Sequence, residues 1–361
     1  MACVETMGGF KLRDRDAIVT QDRMIFRVYG YTHPPRAYIC DPEYAPATIF
    51  ESKNPRAYRT NRKKIYYKFF ADEGLHFVQK KRPTYTVWHA PLRKNLVGVK
   101  ETQIVEARKP DKTFQLLMLK PPKDDLLQAL HTLIDLIQQK SSLTRTNFGV
   151  FGSLLHDFYH PKFSDIDLII YGRQSLERLT ETLNTLYQEE NSPLLNEFAN
   201  LKSVRRKCWK FQNYSLKEYV LHQKRKQIYA TFDHKESNRT IKIEFEPVRR
   251  WEEIENEYDP HAQITAKGWI KMLARITDDS DAPFMPSVYE IEPIKILRGK
   301  RVNDIHKIVS FVEEFRMQAK RDQAVVVEGN LEEVSTPEQT FHQVTLTYGP
   351  RYYEQTLKIK N

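Results

Sequence analysis

The chain has 361 residues, 40% of them apolar and 29% charged. That is too long for one hydrophobic core and too apolar for a disordered chain, so two or three domains are expected. Its net charge of +10 favours polyanionic partners such as nucleic acid, nucleotides or anionic lipid, without choosing among them.

No run approaches the roughly 20 apolar residues of a membrane span. The start, MACVETMGGF, has no basic stretch leading an apolar one, so no signal peptide is expected. Cys3, Cys40 and Cys208 are too sparse for a disulfide scaffold or a structural zinc site. A reducing cytoplasm and no membrane partner are the expectation.

From the N-terminus, Ile18-Val19, a polar turn at Gln21-Asp22, and Ile25, Phe26, Val28 and Tyr29 predict a β-hairpin. HPPRAYICDPEYAP is too proline-dense for a helix interior. Extended runs are expected near residues 84–89 and 103–107. This β-rich N-terminal domain is expected over residues 1–122. It ends at LKPPKDD, where two prolines precede a change of periodicity.

Leu126, Leu130, Leu133, Ile134 and Ile137 then recur at helical spacing, and Asp124 and Asp125 suit the positive end of that helix. A short apolar strand, FGVF, runs into Gly152-Ser153, and LLHDF behind it reads as the start of a helix. FSDIDLIIYG predicts a second strand. Ser175 is the expected cap of a helix striped by Leu176, Leu179, Leu183 and Leu186.

Residues 202–250 are basic. RRK at 205–207, KRK at 224–226 and Arg249-Arg250 alternate with Trp209, Phe211, Tyr214, Tyr219 and Tyr229. This mix suits an acceptor strand, with cations on phosphates and rings on unpaired bases. It equally suits solvated helix faces and core aromatics. RTIKIEFEPV alternates as a half-buried strand does. DDSDAPFMP reads as a linker closing a core of residues 123–275. Residues 276–361 are expected to form a small β-rich domain, with one helix in VNDIHKIVSFVEEFRMQ.

Aspartate is a poor strand former, yet Asp165 and Asp167 flank Ile166 in an apolar run. Strand alternation points both to one side. Two carboxylates there repel each other unless a cation lies between them. Mg²⁺, with Mn²⁺ as a substitute, suits such a pair together with substrate phosphates. A lone Asp-x-Asp at a strand end is common; its neighbours add weight. Gly152 lets the backbone approach phosphates, Ser153 adds a hydroxyl, and a turn entering a helix presents N–H groups.

Two-metal phosphoryl transfer calls for a further carboxylate. Lys242, Glu244 and Glu246 share the polar side of RTIKIEFEPV, so Glu244 or Glu246 is the candidate. His156, Asp157 and His160 flank the loop and read as packing or surface residues rather than ligands. There is no GxxxxGK[ST] phosphate loop.

Gly-Ser, a spacer and Ser-Asp-Ile-Asp-Leu resemble the signature of the DNA polymerase β-like nucleotidyltransferase superfamily, over roughly residues 126–250. The whole chain also resembles archaeal predicted nucleotidyltransferases whose acceptor is unnamed. The resemblance implies an α+β multidomain protein. A nucleotidyltransferase core with a short mixed sheet and flanking helices would lie between β-rich N- and C-terminal domains. It further implies that Gly152 and Ser153 hold the triphosphate of an NTP such as ATP. Asp165 and Asp167 would ligate the metals.

In the archaeal CCA-adding enzymes of that superfamily an acid stands two residues before a residue that precedes proline, in an apolar strand; by that resemblance Glu244-Phe245-Glu246-Pro247 gives the place to Glu244. Here glutamate replaces the usual aspartate, and Leu154-Leu155-His156-Asp157 stands where many members have a glycine. The implied activity is metal-dependent transfer of an NMP from an NTP to an acceptor hydroxyl, with release of pyrophosphate. The basic flanking parts favour RNA as acceptor. The alternatives are a non-catalytic nucleic-acid-binding protein on this fold, which the glutamate keeps open, and a protein-nucleotidylating enzyme.

Overall fold

The computed structural model describes residues 10–61, 64–199, 211–349 and 351–360. Ala17–Thr20 (β1) and Ile25–Val28 (β2) pair as the alternation predicts, Ile18 opposite Phe26. Ala37–Pro46 (β3), Tyr58–Asn61 (β4), Lys64–Lys68 (β5), Thr86–His89 (β6), Lys94–Lys100 (β7) and Ile104–Arg108 (β8) complete an eight-stranded sheet. Its order is β4-β5-β3-β2-β1-β8, with β7 pairing to β3 and carrying β6. Glu73–Lys81 (α1) buries Val78 in this core.

Pro110–Leu119 (α2) carries proline at its first turn, where the missing N–H costs no hydrogen bond. Asp125–Lys140 (α3) forms where the apolar spacing places it. The Asp124 carboxylate accepts the Leu127 N–H at 3.1 Å. Leu126, Leu130, Leu133, Ile134 and Ile137 are all buried. At about 2 kcal/mol each, that stripe contributes on the order of 10 kcal/mol to packing.

Next come Phe148–Val150 (β9), the single turn Gly152–Leu155 (α4), Ile166–Tyr171 (β10), Arg173–Leu186 (α5), Leu194–Asn196 (β11), Leu216–Arg225 (α6), Tyr229–His234 (β12) and Arg239–Val248 (β13). They build a mixed sheet of order β11-β12-β13-β10-β9, in which β10 and β13 run parallel and the other pairs antiparallel. Ile166, Leu168 and Ile170 of β10 and Ile241, Ile243 and Phe245 of β13 join the stripes of α3 and α5 in one core. On the opposite side Ile169, Tyr171 and Val248 meet Tyr31 from the N-terminal part and Phe284 from the C-terminal part.

Ser175 does not cap α5. The helix starts at Arg173, after Gly172 in a left-handed conformation (φ +89°). Ser175 is buried inside the helix, where its hydroxyl accepts hydrogen bonds from Asn147 and Arg250.

The C-terminal part comprises Gln263–Asp278 (β14), Ser287–Arg298 (β15), Ile305–Ser310 (β16), Ala324–Ser335 (β17), Thr340–Leu346 (β18) and Thr356–Ile359 (β19). β14 pairs with both β15 and β17, so the path β14-β15-β16-β18-β17 closes into a barrel, with β19 added beside β17. Only β16 and β18 are parallel within it.

Two expectations fail here. DDSDAPFMP is not a linker: β14 is already a barrel strand, and residues 279–286 join it to β15. The helix expected over residues 302–318 is the strand β16 followed by a short turn at Glu313–Phe315. Ile305, Ile308, Val312 and Phe315 are buried in the barrel core. Their three- and four-residue spacing imitates a helical stripe, but the long-range pairing of β16 with β15 and β18 overrides it.

Among the described residues no helix is long and apolar enough to cross a membrane. Cys40 is a buried free thiol, and burial pushes its pKa well up; Cys3 and Cys208 lie outside the described residues.

Candidate active site

β9 and β10 are antiparallel neighbours, and the Phe151 N–H donates to the Asp167 carbonyl at 3.1 Å. The chain then turns at Gly152, with φ +58°. A Cβ at that position would stand 2.6 Å from Asp167 Oδ2. Only glycine lets this turn lie against the carboxylate. Ser153 follows, half-buried, and its carbonyl accepts the Phe158 N–H at 2.9 Å. LLHDF contributes only the end of the four-residue α4, not a longer helix.

Asp165 is exposed and Asp167 half-buried, with Ile166 between them fully buried on the other side. Because β13 lies parallel beside β10, Asp167 stands directly opposite Glu244, and Ile169 opposite Glu246. Burial pushes Asp167 up to about 6; Lys68 and Lys242 oppose the shift, and the Asp165 charge adds to it.

The two glutamates differ in their partners. Arg316 donates to both carboxylate oxygens of Glu246, and Arg15 donates to Oε2 at 2.7 Å. Burial alone would raise the Glu246 pKa; these two guanidinium groups overcome it and hold the carboxyl well below its ordinary range. Glu244 has a lysine instead. Lys242 Nζ lies 3.6 Å from its Oε2 and 3.9 Å from Glu197. Burial pushes Glu244 up; Lys242 opposes it, and the Glu246 and Asp167 charges reinforce it.

The structure thus gathers Asp165, Asp167 and Glu244 on one side of two adjacent strands, with the Gly152-Ser153 turn against Asp167. It does not draw them to a single point. Among the described residues no group of three or more His, Cys, Asp or Glu side chains is arranged to hold a metal ion. The donor chemistry nevertheless fits a hard cation. All donors are carboxylate oxygens, and a divalent charge would offset both the burial and the acidic neighbours that raise Asp167 and Glu244.

His156 is fully buried among Tyr44 and Phe158, with Nδ1 3.0 Å from Arg108 and Nε2 3.5 Å from Glu43. Leu155 and Phe158 pack with Ala17, Val19, Ile25, Tyr44 and Tyr66 of the N-terminal sheet. That sheet therefore clamps the segment after the Gly-Ser turn. No local signal announces this, because the partners lie roughly a hundred residues upstream. Asp157 is exposed at φ +55°, 3.8 Å from Lys123, and His160 is exposed beside Phe163.

The basic aromatic segment does not offer the stacking surface its composition suggests. Tyr219 and Tyr229 belong to the mixed-sheet core, and Phe211 and Tyr214 to the barrel core. Lys226, which the sequence places in a solvated run, is buried and donates to the Glu314 carbonyl at 2.7 Å. RRK at 205–207 and Trp209 lie outside the described residues.

Arg249 and Arg250 line a cleft of about 390 Å³ with Gly172, Arg173 and Phe284, at the far end of β10 from Asp167. The protein supplies its own anions there. Asp281 pairs with Arg249 at 2.8 Å, and the Glu253 carboxylate accepts the backbone N–H groups of Arg173 and Arg250.

Residues 130–250 match the nucleotidyltransferase domain family, a span that contains β9, β10 and β13. The chain is also similar to an uncharacterized protein of Methanocaldococcus jannaschii. The two are 25% identical over 335 residues, which cover 90% of this chain and 92% of that protein. No solved structure matches the chain. The middle of the chain therefore carries a nucleotidyltransferase domain, set between β-rich parts in a multidomain α+β fold.

Proposed function

We propose that this domain transfers an NMP from an NTP to an acceptor hydroxyl, RNA being the favoured acceptor, in a reaction that depends on a divalent metal and releases pyrophosphate. The observation that carries the reading is the register of β10 and β13. It sets Asp167 opposite Glu244 while the Gly152-Ser153 turn lies against Asp167.

In this reading Gly152 and Ser153 bind the β and γ phosphates. Asp165 and Asp167 would hold Mg²⁺ or Mn²⁺, with Glu244 completing the set. The metal, when bound, neutralises charge on the phosphates and on the attacking oxygen. Glu244 takes the proton of the acceptor hydroxyl. The acceptor oxygen bonds to the α phosphorus, the bond from that phosphorus to the bridging oxygen breaks, and pyrophosphate leaves with the electron pair. Lys68 and Lys242, whose charges act on Asp167, add positive potential where negative charge develops. The pairing of Glu246 with Arg316 and Arg15 supports Glu244 as the working acid.

The test is transfer of label from α-labelled NTPs with Mg²⁺ or Mn²⁺, offering total RNA, single-stranded DNA or no acceptor. Label is expected in RNA and is expected to vanish in Asp165→Asn/Asp167→Asn. Label on the protein alone would mean protein nucleotidylation. No transfer, with RNA binding intact, would mean a non-catalytic binding protein.

A further inference from the structure

We propose that the C-terminal barrel is the part that holds the acceptor, with single-stranded nucleic acid lying across the outer face of β15 and β16. This rests on the reading of the acceptor as a polynucleotide and places it on a named surface.

The first support is topology. Numbered one to five from β14 to β18, the barrel strands run 1-2-3-5-4-1. Strand one pairs with both two and four, and three and five are parallel. That is the order of the oligonucleotide/oligosaccharide-binding fold, a small Greek-key barrel that binds extended ligands across strands two and three. Topology by itself assigns no function, so the surface has to carry the argument.

β15 provides that surface. After Ile291 its side chains emerge from the core, except Ile296, which still packs against it. Ile294 and Leu297 are each 48% exposed, and Lys295, Arg298, Lys300 and Arg301 around them are exposed as well. From Lys295 to Arg301 the chain reads KILRGKR, four cations with no carboxylate among them. On the neighbouring β16, Lys307 stands opposite the exposed Glu290 of β15 and lies over the Phe341 ring at 5.2 Å, and the His306 ring packs against that ring at 5.6 Å. Cations beside apolar and ring surface match a chain of phosphates carrying unpaired bases. A protein partner of acidic character would meet the cations but would not need a barrel face of this kind.

The opposite end of the barrel is fixed to the transferase core. Asp281 pairs with Arg173 and Arg249, and Arg316 pairs with Glu246. Glu246 is two residues from Glu244 on β13, so the barrel is anchored to the strand that carries the candidate acid. The described aromatics of residues 202–250 are buried, so that segment does not compete for the strand.

The experiment measures fluorescence anisotropy of a short unstructured RNA, the DNA of the same sequence, and its duplex, with the full chain and without NTP or metal. The wild type is expected to bind the single strands more tightly than the duplex. Lys295→Ala/Arg298→Ala/Lys300→Ala/Arg301→Ala is expected to bind them at least ~10-fold more weakly. The slope of log affinity against log salt should fall by roughly 0.7 for each phosphate that no longer meets a cation. Lys80→Ala/Lys81→Ala, on the exposed side of α1, is the charge control and should bind as the wild type does.

Should the quadruple variant melt differently from the wild type, Lys300→Ala/Arg301→Ala in the loop after β15 repeats the test with a smaller drop. Wild-type affinity in a folded variant, an equal loss in the α1 control, or no single-strand binding by the wild type each overturns the proposal. The RNA and DNA arms decide which strand is preferred. Binding without transfer would sink the transferase reading and keep this one. Transfer to a small hydroxyl compound without strand binding would do the reverse.

Discussion

Asp167 holds its proton up to about pH 6, first because it is buried and then because Asp165 stands beside it. In the unfolded chain an aspartate titrates near 4. The folded state therefore binds this proton more tightly than the unfolded state. Its contribution to stability is largest below about pH 4 and is lost as pH rises through about 6. Above that the folded protein carries a crowded negative charge. Glu244, also raised by burial and by its acidic neighbours, acts with the same sign. Asp167→Asn should therefore be more stable than the wild type near neutral pH, by on the order of 1 kcal/mol, since the carboxylate keeps some contact with water. At about pH 4 the two should melt alike. Thermal melts in chelator at both pH values check this. Added Mg²⁺ should then raise the wild-type Tm at neutral pH and leave the variant nearly unchanged. A gap between the two proteins that ignores pH would contradict the assignment of the charge to Asp167.

At the scale of elements, β13 does two things with two glutamates on one face. Glu244 meets β10, and Glu246 is held by Arg15 from the loop before β1 and by Arg316 from the loop after β16. Both arginines are essentially fully buried. Arg316→Ala would leave Glu246 buried with Arg15 alone, and breaking a buried pair on one side costs about 3–5 kcal/mol. Denaturant unfolding should show a midpoint lowered accordingly. Arg316→Met/Glu246→Met, which removes both charges, should lose much less. If the single and double variants lost the same amount, the pair would not be what fixes this strand.

The elements that position the carboxylates are legible in the chain because their signals are local. α3 shows its stripe, β10 and β13 show their alternation, and Gly152-Ser153 marks a turn. What the sequence hides is non-local. Glu246 looks as available as Glu244 until Arg316, seventy residues later, takes it. Lys226 looks solvated until the barrel covers it. The strand β16 looks helical because the barrel core collects residues three and four apart. His156 reads as a packing residue and is one, though nothing local names Tyr44 or Arg108 as its partners.

For the whole molecule, the side of the mixed sheet that bears the carboxylates is also the side on which the other two parts meet. Ile169, Tyr171 and Val248 are covered by Tyr31 from one flank and Phe284 from the other. Arg15 bridges Glu246 to Glu313, at 2.7 Å each, so one buried guanidinium ties all three parts together. Phe211 and Tyr214, on the chain that leads into α6, are core residues of the barrel rather than of the sheet that α6 serves. Such interlocking predicts one cooperative unit. Calorimetry of the full chain should show a single unfolding transition, with the calorimetric and van't Hoff enthalpies in agreement.

A chain ended after residue 254 would lose Phe284 from the sheet and Arg316 from Glu246, and would give Lys226 no carbonyl at Glu314. Each loss leaves a buried apolar face or a buried charge without its partner. That fragment is expected to aggregate, or to bind a hydrophobic dye and melt without a cooperative transition, although it retains every residue assigned to phosphate and metal. A fragment that melts sharply, or a full chain with two separated transitions, would show that the barrel is a passenger. The network through Glu246 would then hold the parts in register without being needed to fold them.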